Sequence, residues 1–588
     1  MTASAGHDRA RFSLFGWTLM AESFLPGADS VGKAGGALPA HRRFRADLWT
    51  LGPLVLAGII ALPVLAVLAQ LFLPTGEVWR HLAETVLTRY IVNSLLLGAG
   101  VGVGTAILGV TSAWLVTFYR FPGSRLWEWT LLLPLTMPAY VIAYTYTGLL
   151  DFAGPVQTWL REAFGWTRED YWLPPVRSLP GAIAMLTLVL YPYVYMLARA
   201  SFLSQSVCVI EASRTLGLGP WRTFLSVTLP LARPGIIVGV SLALMETLND
   251  FGTVSHFAVD TFTTGIYRTW FGMGEPVAAA QLGATLLIFV AALLLIERRS
   301  RGAARYHHTT GRYRTLPTRR LSGAAGLFAA AACLLPVGLG FLLPVAVLGK
   351  WAIETWTSTI DARFFQFAGN SFILAAISAG VSVTIALILA YAQRRRPTPL
   401  VVLAVRLAGM GYAVPGAVIA VGVLLAFGAF DSFIDGWVRS TFGSSTGLIV
   451  TGSSAGLIFA YSVRFLAIPV SAVEAGFARV TASMDGAART LGERPGGVLR
   501  RVHAPLLAGS ALTAGLLLFV DVMKELPATL ILRPFNFDTL AIRAYQMASD
   551  ERLRDAAAPG LLIVLVGIAP VILLSRAIAR SRPGQMRE

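Results

Sequence analysis

Six polar residues interrupt two of the most apolar stretches of this 588-residue chain. Glu246, Asn249 and Asp250 lie in METLNDFGT (Met245 to Thr253), at the end of one stretch. Asp521, Lys524 and Glu525 lie in VDVMKELPA (Val520 to Ala528), at the matching end of another. Helical spacing puts residues four apart on one face, so Glu246 and Asp250 are expected side by side, as are Asp521 and Glu525. A charge at membrane depth costs about 2.5–3.5 kcal/mol on insertion scales and usually faces a protein interior or an aqueous path. Two readings stay open. Four carboxylates gathered on one translocation path would suit a small, highly charged cation in transit. Alternatively, Lys524 pairs with an acid and the set is scaffold. In neither reading is this a resident metal site.

Other chemistries are excluded. No GxxxxGK[ST] loop is present, so ATP is not bound through a P-loop. No nucleophile triad, paired-acid site or metal-ligand spacing stands out, and the chain is not expected to be an enzyme or to hold a cofactor. Cys208 and Cys333 are separated too widely in context to pair, and no CxxC or Cys/His cluster exists. His307 and His308 make too short a tract for a metal site. Tyr191, Tyr193 and Tyr195 could bind a ferric ion as phenolates, but packing and interface roles are the expectation. Arg464, inside an apolar run, is expected to snorkel to a nearby membrane face.

Composition sets the class. The chain is 55% hydrophobic and 13% charged, with mean hydropathy +0.66, which fits a polytopic all-α membrane protein. Net charge is 48 − 31 = +17, but the arginines cluster in short loops beside apolar runs, so the charge does not indicate a nucleic-acid partner. Spans of about 20 apolar residues suffice to cross a bilayer, and about twelve candidates occur: 51–73, 91–118, 131–150, 181–197, 235–251, 277–296, 324–348, 372–392, 402–427, 448–468, 506–526 and 556–574. Basic residues at Arg120, Arg125, Arg394 to Arg396, the linker and the C-terminus place both termini in the cytoplasm by the positive-inside rule. The predicted division is a basic cytoplasmic tail (1–48), a first six-helix repeat (49–297), a basic linker (298–323), a second six-helix repeat (324–576) and a cytoplasmic tail (577–588).

The halves are written twice. Asn93-Ser94 matches Asn370-Ser371, Pro138 matches Pro415, and Thr264 and Arg268 are set against Thr539 and Arg543. An even number of spans makes the repeats parallel, related by an axis along the membrane normal. The clearest repeat is a loop: EASRTLGLGPWRTFLSVTLP (Glu211 to Pro230) against GAARTLGERPGGVLRRVHAP (Gly486 to Pro505). Gly217 and Gly492 suit a left-handed helix end, and Pro220 and Pro495 suit the first turn of a second short helix, which Pro230 and Pro505 would close. Phe224, Val227, Leu499 and Val502 would leave an apolar edge among basic residues. Two such knuckles suit docking of a two-fold soluble partner.

The loop resembles the EAA loop of ABC importer permeases. Glu211, Ala212, Gly217, Leu229 and Pro230 match its pattern, with Ser213 replacing the second Ala. In the second copy Ala487, Ala488, Gly492 and Pro505 match, Gly486 stands at the Glu position after Asp485, and Ala504 replaces the Leu. Either coupling through the second loop is weaker or Asp485 stands in for the Glu. NDFGT (Asn249 to Thr253) and KELPATLILRPFNFDTLAIRAY (Lys524 to Tyr545) resemble the fused two-repeat ferric-iron permeases, with thiamine, phosphonate and polyamine permeases as relatives. The resemblance covers both membrane halves but not the N-terminal tail. It implies a bacterial inner-membrane channel built from one copy of this chain. A periplasmic binding protein would deliver ferric iron, and a cytoplasmic ATPase homodimer would use the ATP and dock on the two loops as coupling helices. A secondary transporter with two parallel six-helix halves is the rival reading.

Overall fold

The computed structural model describes residues 47–580, apart from 75, 168–169, 171–173, 302–317 and 478–479. Expectations for most of the N-terminal tail, for Arg305, His307, His308, Arg312 and Arg314 of the linker, and for the last eight residues lie outside the described residues.

The chain is almost wholly helical because its apolar runs leave no other way to satisfy backbone polar groups in lipid. Among the described residues, nine helices are long and apolar enough to cross a membrane, or up to eleven if each of two bent pairs counts as one span. Every predicted segment coincides with an apolar helix or with a broken one. Strand structure among these residues is a two-residue parallel pairing, Tyr119–Arg120 with Arg319–Arg320, which ties the end of the linker to the loop after the second helix.

The breaks repeat. The third predicted segment is split at Pro138 and the ninth at Pro415, and both prolines sit as N-caps in extended backbone, with ψ 138° and 139°. Lacking an N–H, proline cannot continue the preceding helix but can begin the next. Asn93 Nδ2 donates to the Asp260 carbonyl at 2.9 Å, and Asn370 Nδ2 donates to the Asp538 carbonyl at 3.0 Å. The adjacent Ser94 and Ser371 hydroxyls accept from the Phe262 and Leu540 amides. This clamp corrects one alignment. Asp260-Thr261 pairs with Asp538-Thr539, so the counterpart of Thr539 is Thr261, not Thr264; both threonines cap the helix that follows.

The two repeats are interlaced. The helix Leu48–Ala69 of the first repeat lies along Pro399–Ala408 and Gly416–Phe442 of the second. The approach is tight, since a Cβ on Gly422 would come within 2.2 Å of the Pro63 carbonyl. On the other side, the opening helices of the second repeat lean on the first: Tyr146 donates to the Leu339 carbonyl at 2.8 Å, and a Cβ on Gly340 would meet the Leu188 carbonyl at 2.7 Å. Within the first repeat, Leu87–Phe118 packs along Leu179–Leu203. Gly100, Gly104 and Gly109 let it approach Ile183, Thr187 and Val194 to distances that any side chain would block, the small-residue packing expected where helices associate in lipid.

Candidate functional site

All six predicted path residues line one central cavity of about 100 Å³, with Tyr140, Tyr193 and Arg464. The geometry differs from a simple helical face. The helix Leu229–Asn249 carries Glu246 but ends before Asp250, whose backbone is extended at φ −64°, ψ 132°. Asp250 therefore does not share a helical face with Glu246. Its carboxylate turns to the next short helix, Gly252–His256, and accepts from the Thr253 amide (3.1 Å), the Val254 amide (3.1 Å) and the Thr253 hydroxyl (3.0 Å). The second repeat does the same. The helix Ala504–Met523 holds Asp521, and Glu525 beyond it accepts from the amides of Ala528 (2.9 Å) and Thr529 (3.0 Å) and from the Thr529 hydroxyl (2.8 Å). The positions agree, since 253 + 275 = 528 and 254 + 275 = 529. The first amides of a helix have no internal acceptor, and a carboxylate placed just before them supplies one.

The remaining polar groups join the halves. Asn249 Oδ1 accepts from the Gly416 amide at 2.6 Å and from Arg464 Nη1 at 3.0 Å. The same Nη1 lies 3.1 Å from Glu525 Oε1, while Nη2 is 3.9 Å from Glu246. Lys524 pairs with Asp521 on its own helix turn at 2.8 Å. Arg464 is only 6% exposed, so the expectation that it snorkels to a membrane face is wrong. A guanidinium stays buried where acceptors replace its water, and Asn249 and Glu525 are those acceptors. Neither was within reach by sequence distance. Among the described residues no three of His, Cys, Asp and Glu are grouped to hold a metal ion. Tyr191 and Tyr195 are packed in the core, Tyr195 donating to the Glu128 carbonyl, and of the three tyrosines only Tyr193 reaches the cavity.

The two knuckles share one backbone. Gly217 and Gly492 are left-handed, with φ +82° and +85°. Behind each runs the six-to-one bond of a Schellman cap, Leu218 amide to Ser213 carbonyl and Glu493 amide to Ala488 carbonyl, both 3.1 Å. Pro220 and Pro495 open the next helix. Pro230 and Pro505 do not close it. Each second arm passes through one π-helical turn, Phe224–Thr228 or Leu499–His503, and continues into the long helix, with the proline in that helix's first turn. The widened turn bonds the Leu229 amide to the Phe224 carbonyl, and the Ala504 amide to Leu499, which accommodates a proline that has no N–H to give. The apolar edge is also placed differently. Phe224 is buried against Trp114, and the most exposed large apolar side chains of the two loops are Leu216 (82%) and Leu491 (84%), immediately before the glycines.

Glu211, Ala212 and Ala487 are exposed, Ala488 is buried, Leu229 is half-buried, and Pro230 and Pro505 are exposed. Asp485 points inward. Its carboxylate meets Arg394 Nε at 3.0 Å and His503 Nε2 at 2.5 Å. Since 485 − 275 = 210, its counterpart is buried Ile210, and the counterpart of Glu211 is exposed Gly486. Burial pushes the Asp485 carboxyl up, but hydrogen bonds from His503 and Arg394 and the Arg394 charge outweigh it and hold the group below the usual carboxylate range.

Comparison with known proteins places this architecture. Residues 105–298 match the family described as binding-protein-dependent transport system inner membrane component. The chain is 28% identical over 492 residues to the Fe(3+)-transport system permease protein FbpB 2 of Haemophilus influenzae, covering 82% of this chain and 89% of that one. It is 25% identical over 554 residues to the ferric transport system permease protein FbpB of Actinobacillus pleuropneumoniae, covering 89% and 77%. Molybdenum transport system permease protein ModB of Escherichia coli is 34% identical over 149 residues, covering 25% of this chain and 62% of that protein. With its many apolar helices, its two helical repeats and these relatives, the chain is similar to the ABC-importer permeases, and over most of its length to those named for ferric-iron transport.

Proposed function

We propose that this chain forms the whole membrane channel of a ferric-iron importer. In this reading the apolar helices and bent pairs make twelve spans in a bacterial inner membrane, with both termini in the cytoplasm. A binding protein delivers the ion on the outer face. The family resemblance implies such a partner and a cytoplasmic ATPase, and an ATPase homodimer would dock on the two knuckles, each protomer taking one. The shared Schellman-capped geometry of the knuckles supports that assignment, because a two-fold partner needs two like surfaces.

The observation that carries the cargo reading is the charge of the central cavity. Four carboxylates and two bases line it, so its formal balance favours a cation. An oxyanion is the second reading, since a molybdenum permease shares a quarter of the chain, and Arg464 and Lys524 would then be its contacts. The relatives named for ferric transport extend over more than four-fifths of this chain, which favours iron.

The test is uptake of radiolabelled ferric iron into proteoliposomes containing the chain, its ATPase and its binding protein. Uptake that needs ATP and all three proteins is expected. Neutralising Glu246, Asp250, Asp521 and Glu525 together should slow import without releasing the ATPase. Molybdate uptake in place of iron uptake would move the assignment to the second reading, and normal import by the neutralised variant would make the acids scaffold.

A further inference from the structure

The central cavity is lined unequally by the two repeats. The first supplies Glu246, Asp250 and neutral Asn249. The second supplies Asp521, Glu525 and both bases. Lys524 is occupied by its neighbour Asp521 on the same helix turn. Arg464 instead reaches across the interface, with one nitrogen shared between Asn249 of the first repeat (3.0 Å) and Glu525 of the second (3.1 Å), and the other 3.9 Å from Glu246.

Pseudo-symmetry does not require a base at this place. Ser178 and Ser453 begin equivalent helices, and the same offset gives 464 − 275 = 189. Val189 also lines the cavity, so the equivalent place in the first repeat is filled by an apolar side chain. The guanidinium is nearly fully buried, yet its Nε donates to no acceptor among the described residues. A buried guanidinium that served only as scaffold would be expected to have its donors met. The surrounding backbone is also shaped to it: a Cβ on Gly416 would fall 2.1 Å from Arg464 Nη1 and 2.8 Å from Glu525 Oε1. The grip is loose for a buried ion pair, with one nitrogen divided between two acceptors and the Glu246 contact long.

We propose that Arg464 is a resident counter-ion of the path, its guanidinium occupying the place where a cationic cargo crosses between the repeats, so that passage requires Arg464 to leave Asn249 and Glu525. The inference rests on the cation-cargo reading. An importer is empty for part of its cycle, and carboxylates at membrane depth without a nearby cation are costly. A tethered cation balances them while no cargo is present. A free cation then enters by exchange, as the acids it meets are released from Arg464.

Terbium(III), a hard trivalent ion, tests this without iron transport. Its binding is measured by luminescence on the full chain assembled with its ATPase. Arg464→Gln should bind terbium at least tenfold more tightly than the unaltered protein. Arg464→Lys, which keeps the charge, should stay near the unaltered value, and adding Glu525→Gln to Arg464→Gln should remove the gain. An unchanged affinity in an assembled Arg464→Gln complex overturns the proposal, whether or not iron is the cargo. Should that variant fail to assemble, Asn249→Leu removes one acceptor of the shared nitrogen and must bind terbium at least threefold more tightly; no change there also overturns it. Failure of the ferric reading appears separately, as absent iron uptake in the proteoliposomes.

Discussion

The two knuckles are built on one backbone and held by different chemistry. Both pack against an aromatic frame in the same positions: Trp114 and Phe202 in the first, Tyr391 and Phe477 in the second, by 114 + 277 = 391 and 202 + 275 = 477. In the first, Phe224 lies 4.6 Å from Trp114 between ring centroids, and the neighbouring positions are Thr117, Ile210 and Thr228. In the second, those three positions carry Arg394, Asp485 and His503, by 117 + 277 = 394, 210 + 275 = 485 and 228 + 275 = 503. They form one bonded cluster under the loop. Where the first knuckle has three neutral side chains, the second has a base, an acid and a histidine, with Asp485 bonded to both of the others. Any one of the three alone would be a wholly or partly buried polar group with a poorer match. The loop shape is thus the common requirement, and apolar packing and a polar cluster are two ways of meeting it.

The largest expected effect breaks both knuckles at the feature they share. Gly217→Val or Gly492→Val forces a β-branched residue into left-handed backbone, at about 1–3 kcal/mol of strain each. Among the described residues no neighbouring atom lies within 4 Å of either added Cβ, so the strain is in the backbone and not in a clash. ATP-driven uptake should fall at least roughly tenfold, as 1.4 kcal/mol already corresponds to that ratio, with membrane insertion unaffected. Normal uptake in both variants would remove the coupling assignment.

Trp114→Ala separates the knuckles. It takes the ring from Phe224, Trp221 and Tyr119 at once. Loss of a large packed aromatic costs about 3 kcal/mol, and hydrogen exchange should rise in residues 207–228 while 482–503 stays protected. Equal loosening of both loops would show that they are not held independently.

Asp485→Asn is the converse and should be milder, about 1–3 kcal/mol, from leaving Arg394 and His503 without their acceptor charge. Its pH dependence has a defined sign. The carboxyl of Asp485 is held below its ordinary value in the folded protein. Its charge therefore stabilises the fold fully above the unfolded value of about 3.9, and the contribution is lost as pH falls through the lower folded value. The stability gap between the unaltered chain and Asp485→Asn, measured by thermal unfolding, should be present at neutral pH and close only below about pH 4. A gap that closes on raising the pH instead would contradict the bonding pattern.

The smallest effect is expected from Gly486→Glu, which restores the acid found at position 211. Gly486 is exposed, has no atom within 4 Å of an added Cβ, and lies mid-helix, where glycine is unfavourable by about 0.5–1 kcal/mol against alanine. The variant should fold at least as well, and ATPase stimulation by the binding protein should rise modestly if the second loop lacks only that acid. A fall in stimulation would mean that the ATPase surface at this loop is fitted to its absence.

Much of the molecule was legible in order along the chain. Apolar length marked the helices, because a bilayer core demands it. Asn93-Ser94 and Asn370-Ser371, Pro138 and Pro415, and the two glycines were visible as a repeat, and each pair performs the same backbone task. The six polar residues of the cavity were visible because polar and charged side chains are costly in an apolar run. The reading failed in two places, one through a local helix start and one through a contact between distant segments. Helical spacing set Asp250 beside Glu246, but the amides of Thr253 and Val254 drew its carboxylate out of the helix. Charge position sent Arg464 to a membrane face, but Asn249, more than 200 residues earlier in sequence (|i−j| = 215), holds it in the centre.

The sequence by itself determined the span-forming runs, the twofold repeat, the knuckle turns and the identity of the acids, because periodicity, glycine and proline act over a few residues. Only the tertiary structure decided that the opening helix of each repeat crosses to the other, that Asp485 faces inward, and that Arg464 is buried at the centre between Asn249 and Glu525. Those outcomes depend on which surfaces meet across the pseudo-two-fold interface, and the free energy of a buried charge is set by acceptors that the fold brings to it, not by its neighbours in the chain.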